Sequence, residues 1–94
     1  TVQNEYVTTN YGDDNDYIEL GYWIEAIAKL LEWSPAHKSM TYGFYKGYLQ
    51  ASDYTWMQDK DHKNPFNDPY IWISPRTLKQ LNKTIEQDWI AQNT

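Results

Sequence analysis

The 94-residue chain contains no cysteine, which excludes disulfide frameworks, Cys-ligated zinc, iron–sulfur clusters and thiol nucleophiles. No apolar run approaches the roughly 20 residues that a membrane-spanning helix needs, so a membrane is not expected as a partner. Arginine occurs once, at Arg76, and Lys and Arg together number eight against thirteen Asp and Glu, a net charge of −5. Binding to a phosphate backbone depends on cationic side chains, so this balance argues against direct contact with nucleic acid. There is no Gly-x-Ser-x-Gly, no phosphate-cradling glycine loop and no dinucleotide fingerprint. A chain this short also leaves little room for a cleft that buries a substrate. Paired carboxylates of the glycosidase kind stay open on sequence alone, but the reading is non-enzymatic, with no cofactor and no metal.

What the chain does have is rings. Nine Tyr, five Trp and two Phe make up 17% of it. A domain of this size buries only about 60–65% of the surface its open chain exposes, and each buried Tyr hydroxyl needs a partner. Several tyrosines are therefore expected at the surface. Tyr and Trp anchor protein interfaces, and they also suit a half-solvated sheet; one sheet face can do both.

Residues 1–94 read as a single domain. Thr1 to Asn10 is rich in β-branched residues and Tyr, and predicts a strand over Val2 to Thr8. The turn formers YGDDND follow. From Asp16 to Trp33, the positions Leu20, Trp23, Ile24, Ile27, Leu30 and Leu31 form one apolar stripe at helical spacing. Asp16 is placed to cap that helix, with Glu19 three residues on as in a capping box, and Ser34-Pro35 ends it. Gly21 costs about 1 kcal/mol against Ala within a helix, which is explicable if another backbone or a ring approaches there. Met40 to Leu49 (MTYGFYKGYL) has aromatics in both alternating sets and two glycines, and predicts a strand. Gln50 to Asp53 reads as a hairpin turn, Tyr54 to Met57 as a short strand, Asp59 to Pro69 as a polar loop, and Tyr70 to Ile73 as a buried strand. Ser74 and Pro75 open a last helix as N-cap and first residue, with Leu78, Leu81, Ile85 and Trp89 as its stripe. The expected fold class is α+β: a small antiparallel sheet of three to four strands with two amphipathic helices packed on one face.

Only His37 and His62 can supply imidazole. His62 stands near Asp59, Asp61 and Asp68, a set that resembles a divalent-metal loop, yet the glycine and closing glutamate of a calcium loop are missing. Turn-setting is the simpler role for these acids. Charge is more informative. Residues 1–33 hold seven acids and one base (net −6), whereas residues 34–94 hold six acids and seven bases (net +1). The acidic focus is the turn before the first helix and that helix's outer face, which steers a basic partner.

These features predict a non-enzymatic protein-binding module. The functional class they fit is a small acidic inhibitor or neutraliser of the immunity, antitoxin or phage anti-defence kind, acting on a protein with a basic surface. The candidate binding residues are Tyr11, Asp13, Asp14, Asp16, Tyr17, Glu25 and Glu32, with Tyr45 and Trp56 from the expected sheet. One alternative is a small-ligand or carbohydrate-binding domain, with Trp56, Trp72, Tyr42 and Tyr48 as an aromatic platform. Another is a phage or surface structural subunit. Self-association into a homodimer stays open. The compositional bias toward Asn, Gln, Lys and Tyr suits a bacterial or phage source, and the expected compartment is the cytoplasm.

Overall fold

A computed structural model describes residues 16–92, with side chains through residue 88. The elements run β1 (Ile18–Glu19), α1 (Leu20–Leu31), α2 (Pro35–Ala51), β2 (Met57–Lys63), β3 (Pro69–Ile73) and α3 (Pro75–Gln92). The three strands form one antiparallel sheet in the order β1-β3-β2. Ile18 pairs with Ile73 and Glu19 with Trp72 on one side of β3; Met57 pairs with Trp72 and Asp59 with Tyr70 on the other. This is the expected α+β class, with three strands and, where two helices were expected, three helices among the described residues. The strand expected at Val2 to Thr8 lies outside the described residues.

One core joins all three helices to the inner face of β3. Leu20, Trp23, Ile24 and Ile27 come from α1, Tyr42, Tyr45 and Leu49 from α2, Ile71 and Ile73 from β3, and Leu78 and Leu81 from α3. The stripe on α1 is thus the buried one, except that Leu30 turns outward and stays half exposed. Ile85 packs on the margin of the same core.

The segment Met40 to Leu49 is helical, not a strand. Its aromatics occupy two helical faces rather than two strand faces. Tyr42, Tyr45 and Leu49 fall at i, i+3 and i+7 and are buried, while Met40 and Phe44 fall at i and i+4 on the opposite side and are exposed. An alternating pattern and a two-sided helix look alike when both faces carry rings. The start of α2 was in plain view: Ser34 Oγ accepts the His37 N–H (3.2 Å) with Pro35 in the first position. Ser34-Pro35 therefore begins α2 rather than ending α1, which Glu32 has already closed, just as Ser74-Pro75 begins α3, where Ser74 Oγ accepts the Thr77 N–H (3.2 Å). Gln50 to Asp53 is accordingly no hairpin turn but a helix end, closed by the Ser52 N–H on the Leu49 carbonyl. The strand expected at Tyr54 begins only at Met57.

The cap of α1 also differs from expectation. β1 holds residues 18 and 19, so the helix starts later and Glu19, not Asp16, is its N-cap, accepting the Tyr22 N–H at 3.1 Å through Oε2. Glu19 is fully buried. Its Oε1 accepts from Asn64 Nδ2 (2.9 Å) and from the Ile71 N–H (3.3 Å). Asn64 in turn donates to the Tyr42 hydroxyl and accepts, through Oδ1, the N–H groups of Phe66 (2.9 Å) and Asp68 (3.3 Å). One buried amide thereby ties the β2–β3 turn to α1, α2 and β3.

The same junction explains Gly21. A Cβ there would lie 2.6 Å from Glu19 Oε2, 3.1 Å from Asn64 Cβ and 3.2 Å from the Pro65 ring at Cδ. The Asn64 side chain and the Pro65 ring do approach, although Gly21 stands in the first turn of α1 and not in its middle. The stretch expected as a polar loop, residues 59–69, is mostly spent on structure: β2 runs through Lys63, and the turn that follows is tightened at Asn67, in the left-handed region at φ 61°.

Candidate functional site: the outer face of the sheet

Alternation along β3 sends Ile71 and Ile73 into the core and Tyr70 and Trp72 to the opposite face. Antiparallel partners share a face, so Met57 lies beside Trp72 and Asp59 beside Tyr70. The register slips between Asp59 and Lys63, where residues 60–62 have no counterpart on β3. That bulge re-aims His62. Its Nδ1 meets Asp59 Oδ2 at 2.5 Å, and its ring stacks on Tyr70 with centroids 5.6 Å apart. Asp59 Oδ1 also accepts the Asp61 N–H, which closes the bulge.

Tyr22, on the first turn of α1, reaches the same patch. Its hydroxyl lies 3.4 Å from the Tyr70 hydroxyl, and the two rings are 6.2 Å apart. Trp72 meets Tyr70 edge-on at 5.7 Å. The hydrogen bond with Tyr22 holds the Tyr70 hydroxyl above the ordinary tyrosine range, and the negative charges of Glu19 and Asp59 push it the same way. Met57 and Tyr22 are each about half exposed, at 51% and 48%. The result is a cluster of Tyr22, Met57, His62, Tyr70 and Trp72, bordered by charged residues of β2, one of the two edge strands of the described sheet. Among the described residues no three His, Asp or Glu side chains gather as a metal site.

Those of the residues singled out from sequence that the structure describes are not brought together. Tyr11, Asp13 and Asp14 lie outside the described residues. Asp16 is exposed ahead of β1, and Tyr17 is half-buried in a groove of about 380 Å³ with Asp53, Tyr54 and Arg76. Glu25 is committed to an ion pair with Lys38 of α2 (3.2 Å). Glu32, exposed, closes α1 in the left-handed conformation at φ 56°. Asp16 and Glu32 thus flank a helix of 12 residues, about 18 Å long. With Glu19 buried and Glu25 paired, the outer side of α1 is not the concentrated acidic face expected.

Tyr45 is a correction. It is buried in the core and its hydroxyl donates to Asn82 Oδ1, so it has no surface to offer. Burial, with the charge of Glu86 adding to it, raises its pKa. Trp56 is half-buried against the core, its indole Nε1 donating to the Leu49 carbonyl (3.1 Å). The supposed sugar platform is scattered for the same reason. Tyr42 is buried and stacked on Phe66 at 4.3 Å, and Tyr48 reaches to α3, donating to Asp88 Oδ2 (2.6 Å). Of that set only Trp72 faces outward from the sheet. Tyr22 and Tyr70 escaped sequence reasoning, and so did His62 as a member of an aromatic cluster. Period-two alternation in YIWI was the one signal available, since it separates Tyr70 and Trp72 from the two isoleucines.

Protein-family models, curated proteins and solved structures were all compared with the chain, and none matches it.

Proposed function

We propose that this protein is a non-enzymatic recognition module that docks the outer face of its sheet on a protein partner with basic side chains. The observation that carries the reading is the Tyr22–Met57–His62–Tyr70–Trp72 cluster on the face turned away from the core. Tyr, Trp and Met at the centre with charges at the rim is the composition of interface hot spots. Ring faces attract Arg and Lys through cation–π contact, and the net charge of −5 favours encounter with a cationic surface. The inhibitor or neutraliser role follows as one use of such a surface.

Ring geometry favours this reading over sugar binding. Tyr70 lies at 38° to Tyr22 and at 62° to Trp72, so the rings do not form the flat platform of several rings expected for a glycan. The test is tryptophan fluorescence of the chain titrated with Arg-rich peptides and, separately, with a glycan panel. The expected result is a peptide response that weakens with salt and is lost in Tyr70→Ala. A response to glycans, or a peptide response untouched by Tyr70→Ala, overturns the proposal.

A further inference from the structure

Tyr22 and Tyr70 stand in an arrangement that recognition does not require. Their hydroxyls lie 3.4 Å apart, their ring centroids 6.2 Å apart, and their planes are tilted by 38°. Tyr22 belongs to the first turn of α1 and Tyr70 to β3, 48 residues further along the chain. The other tyrosines with described side chains are engaged elsewhere. Tyr42 and Tyr45 are buried, the Tyr48 hydroxyl donates to Asp88, and the Tyr54 hydroxyl is bonded to Thr84 Oγ1 at 2.6 Å. Tyr17 is half-buried in its own groove beside Asp53 and Arg76.

The pair also sits where a covalent tie has most to hold. β1 contributes two residues, paired as Ile18 with Ile73 and Glu19 with Trp72, and so short a strand is marginal by itself. α1 begins at the next residue. With no cysteine, the chain has no disulfide to fasten that edge and no thiol to quench a tyrosyl radical.

We propose that Tyr22 and Tyr70 are a cross-linking site, at which hydrogen peroxide acting through a haem peroxidase joins α1 to β3 as a dityrosine. Each phenol gives up one electron, and its hydroxyl proton passes to the water that reaches the half-exposed Tyr22. The two phenoxyl radicals pair their odd electrons in a new carbon–carbon bond between ring carbons ortho to the hydroxyls. Each of those carbons then releases its hydrogen as a proton while each oxygen regains one, which restores both aromatic rings and both hydroxyls. Hydrogen peroxide takes up the two electrons and two protons and leaves as two waters. Tyr70 is held by its stack on His62 and its edge contact with Trp72, so Tyr22 is the ring that turns to meet it. Exposed side chains make such rotations within nanoseconds. The inference does not depend on what the sheet face binds.

Treating the full chain with hydrogen peroxide and a haem peroxidase tests this. At about 10 µM protein, two rings held together have an effective concentration of about 1 mM or more, so coupling within a chain outruns coupling between chains about a hundredfold. The expected product has the mass of the monomer less two hydrogens and the blue fluorescence of dityrosine. Trypsin with a Glu-specific protease should release residues 20–25 joined to residues 64–76. Tyr22→Phe and Tyr70→Phe should each lose that product, and Tyr48→Phe should keep it. The cross-linked chain should melt at least about 10 °C higher than the untreated one, because a tie across 48 residues restricts the unfolded chain. The proposal falls if no dityrosine forms, if the joined peptides carry other tyrosines, or if the product is chiefly dimeric. It falls equally if Tyr22→Phe or Tyr70→Phe leaves the same cross-link in place.

Discussion

Replacing Glu19 by glutamine changes almost no volume and tests how the centre of this fold is held. Three donors converge on the buried carboxylate: the Tyr22 N–H on Oε2, and Asn64 Nδ2 and the Ile71 N–H on Oε1. A carboxylate accepts on both oxygens; an amide accepts on one and donates from the other. With its oxygen toward Asn64 and Ile71, the new amide faces the Tyr22 N–H with an N–H of its own, and the cap of α1 is lost. With its oxygen toward Tyr22, two bonds from the turn and β3 go instead. The first arrangement is the less costly. It forfeits one hydrogen bond to a charged group, about 1.5–3 kcal/mol, with the cap's share of about 1 kcal/mol included in it. Relief from burying a charge works in the opposite direction. The expected net loss for Glu19→Gln is about 2 kcal/mol, a fall in Tm of roughly 8–16 °C for a domain of this size. Urea and thermal unfolding at neutral pH measure it. Glu19→Leu, which removes every acceptor, should cost more, about 3–5 kcal/mol. If Glu19→Gln proves as stable as the wild type or more so, desolvation of the charge outweighs the three bonds, and the account of this junction is wrong.

Other consequences are equally direct. Gly21→Ala should destabilise by about 1–3 kcal/mol despite the better helix propensity, because the new methyl displaces the Glu19 carboxylate. Gly43→Ala, with nothing described within 4 Å of the new methyl, should stabilise the fold by up to about 1 kcal/mol; thermal melts of the two variants should move in opposite directions. Burial pushes the Tyr42 hydroxyl up to about 12, against the lowering effect of its bond to Asn64. A tyrosine held higher in the fold than in the open chain stabilises fully below pH 10 and withdraws that stability as pH climbs toward 12, here about 2 kcal/mol. Urea midpoints taken across that range should fall, and less steeply in Tyr42→Phe. Ser74→Ala, which strips the Thr77 N–H of its acceptor, should cost about 1 kcal/mol by the same assay.

Much of the helical content was legible in the residues because its signals are local. The stripe from Leu20 to Ile27 fits only a period of 3.6, and Ser74-Pro75 sets a helix start through one hydroxyl and one fixed φ, whereas the same pair at Ser34-Pro35 reads equally as a stop. The absence of cysteine and the acidic balance bounded the chemistry in the same direct way. Tertiary structure decided the rest, since each remaining feature depends on a partner distant in the chain. Whether MTYGFYKGYL is strand or helix turns on Tyr42, Tyr45 and Leu49 finding α1, β3 and α3 on one side only. The work of Asn64 is invisible without Glu19, 45 residues away. Tyr22 and Tyr70, 48 apart, become neighbours only once β1 is laid against β3. Propensity and periodicity report on a few adjacent turns of chain, whereas a recognition face is assembled from pieces that meet only after folding.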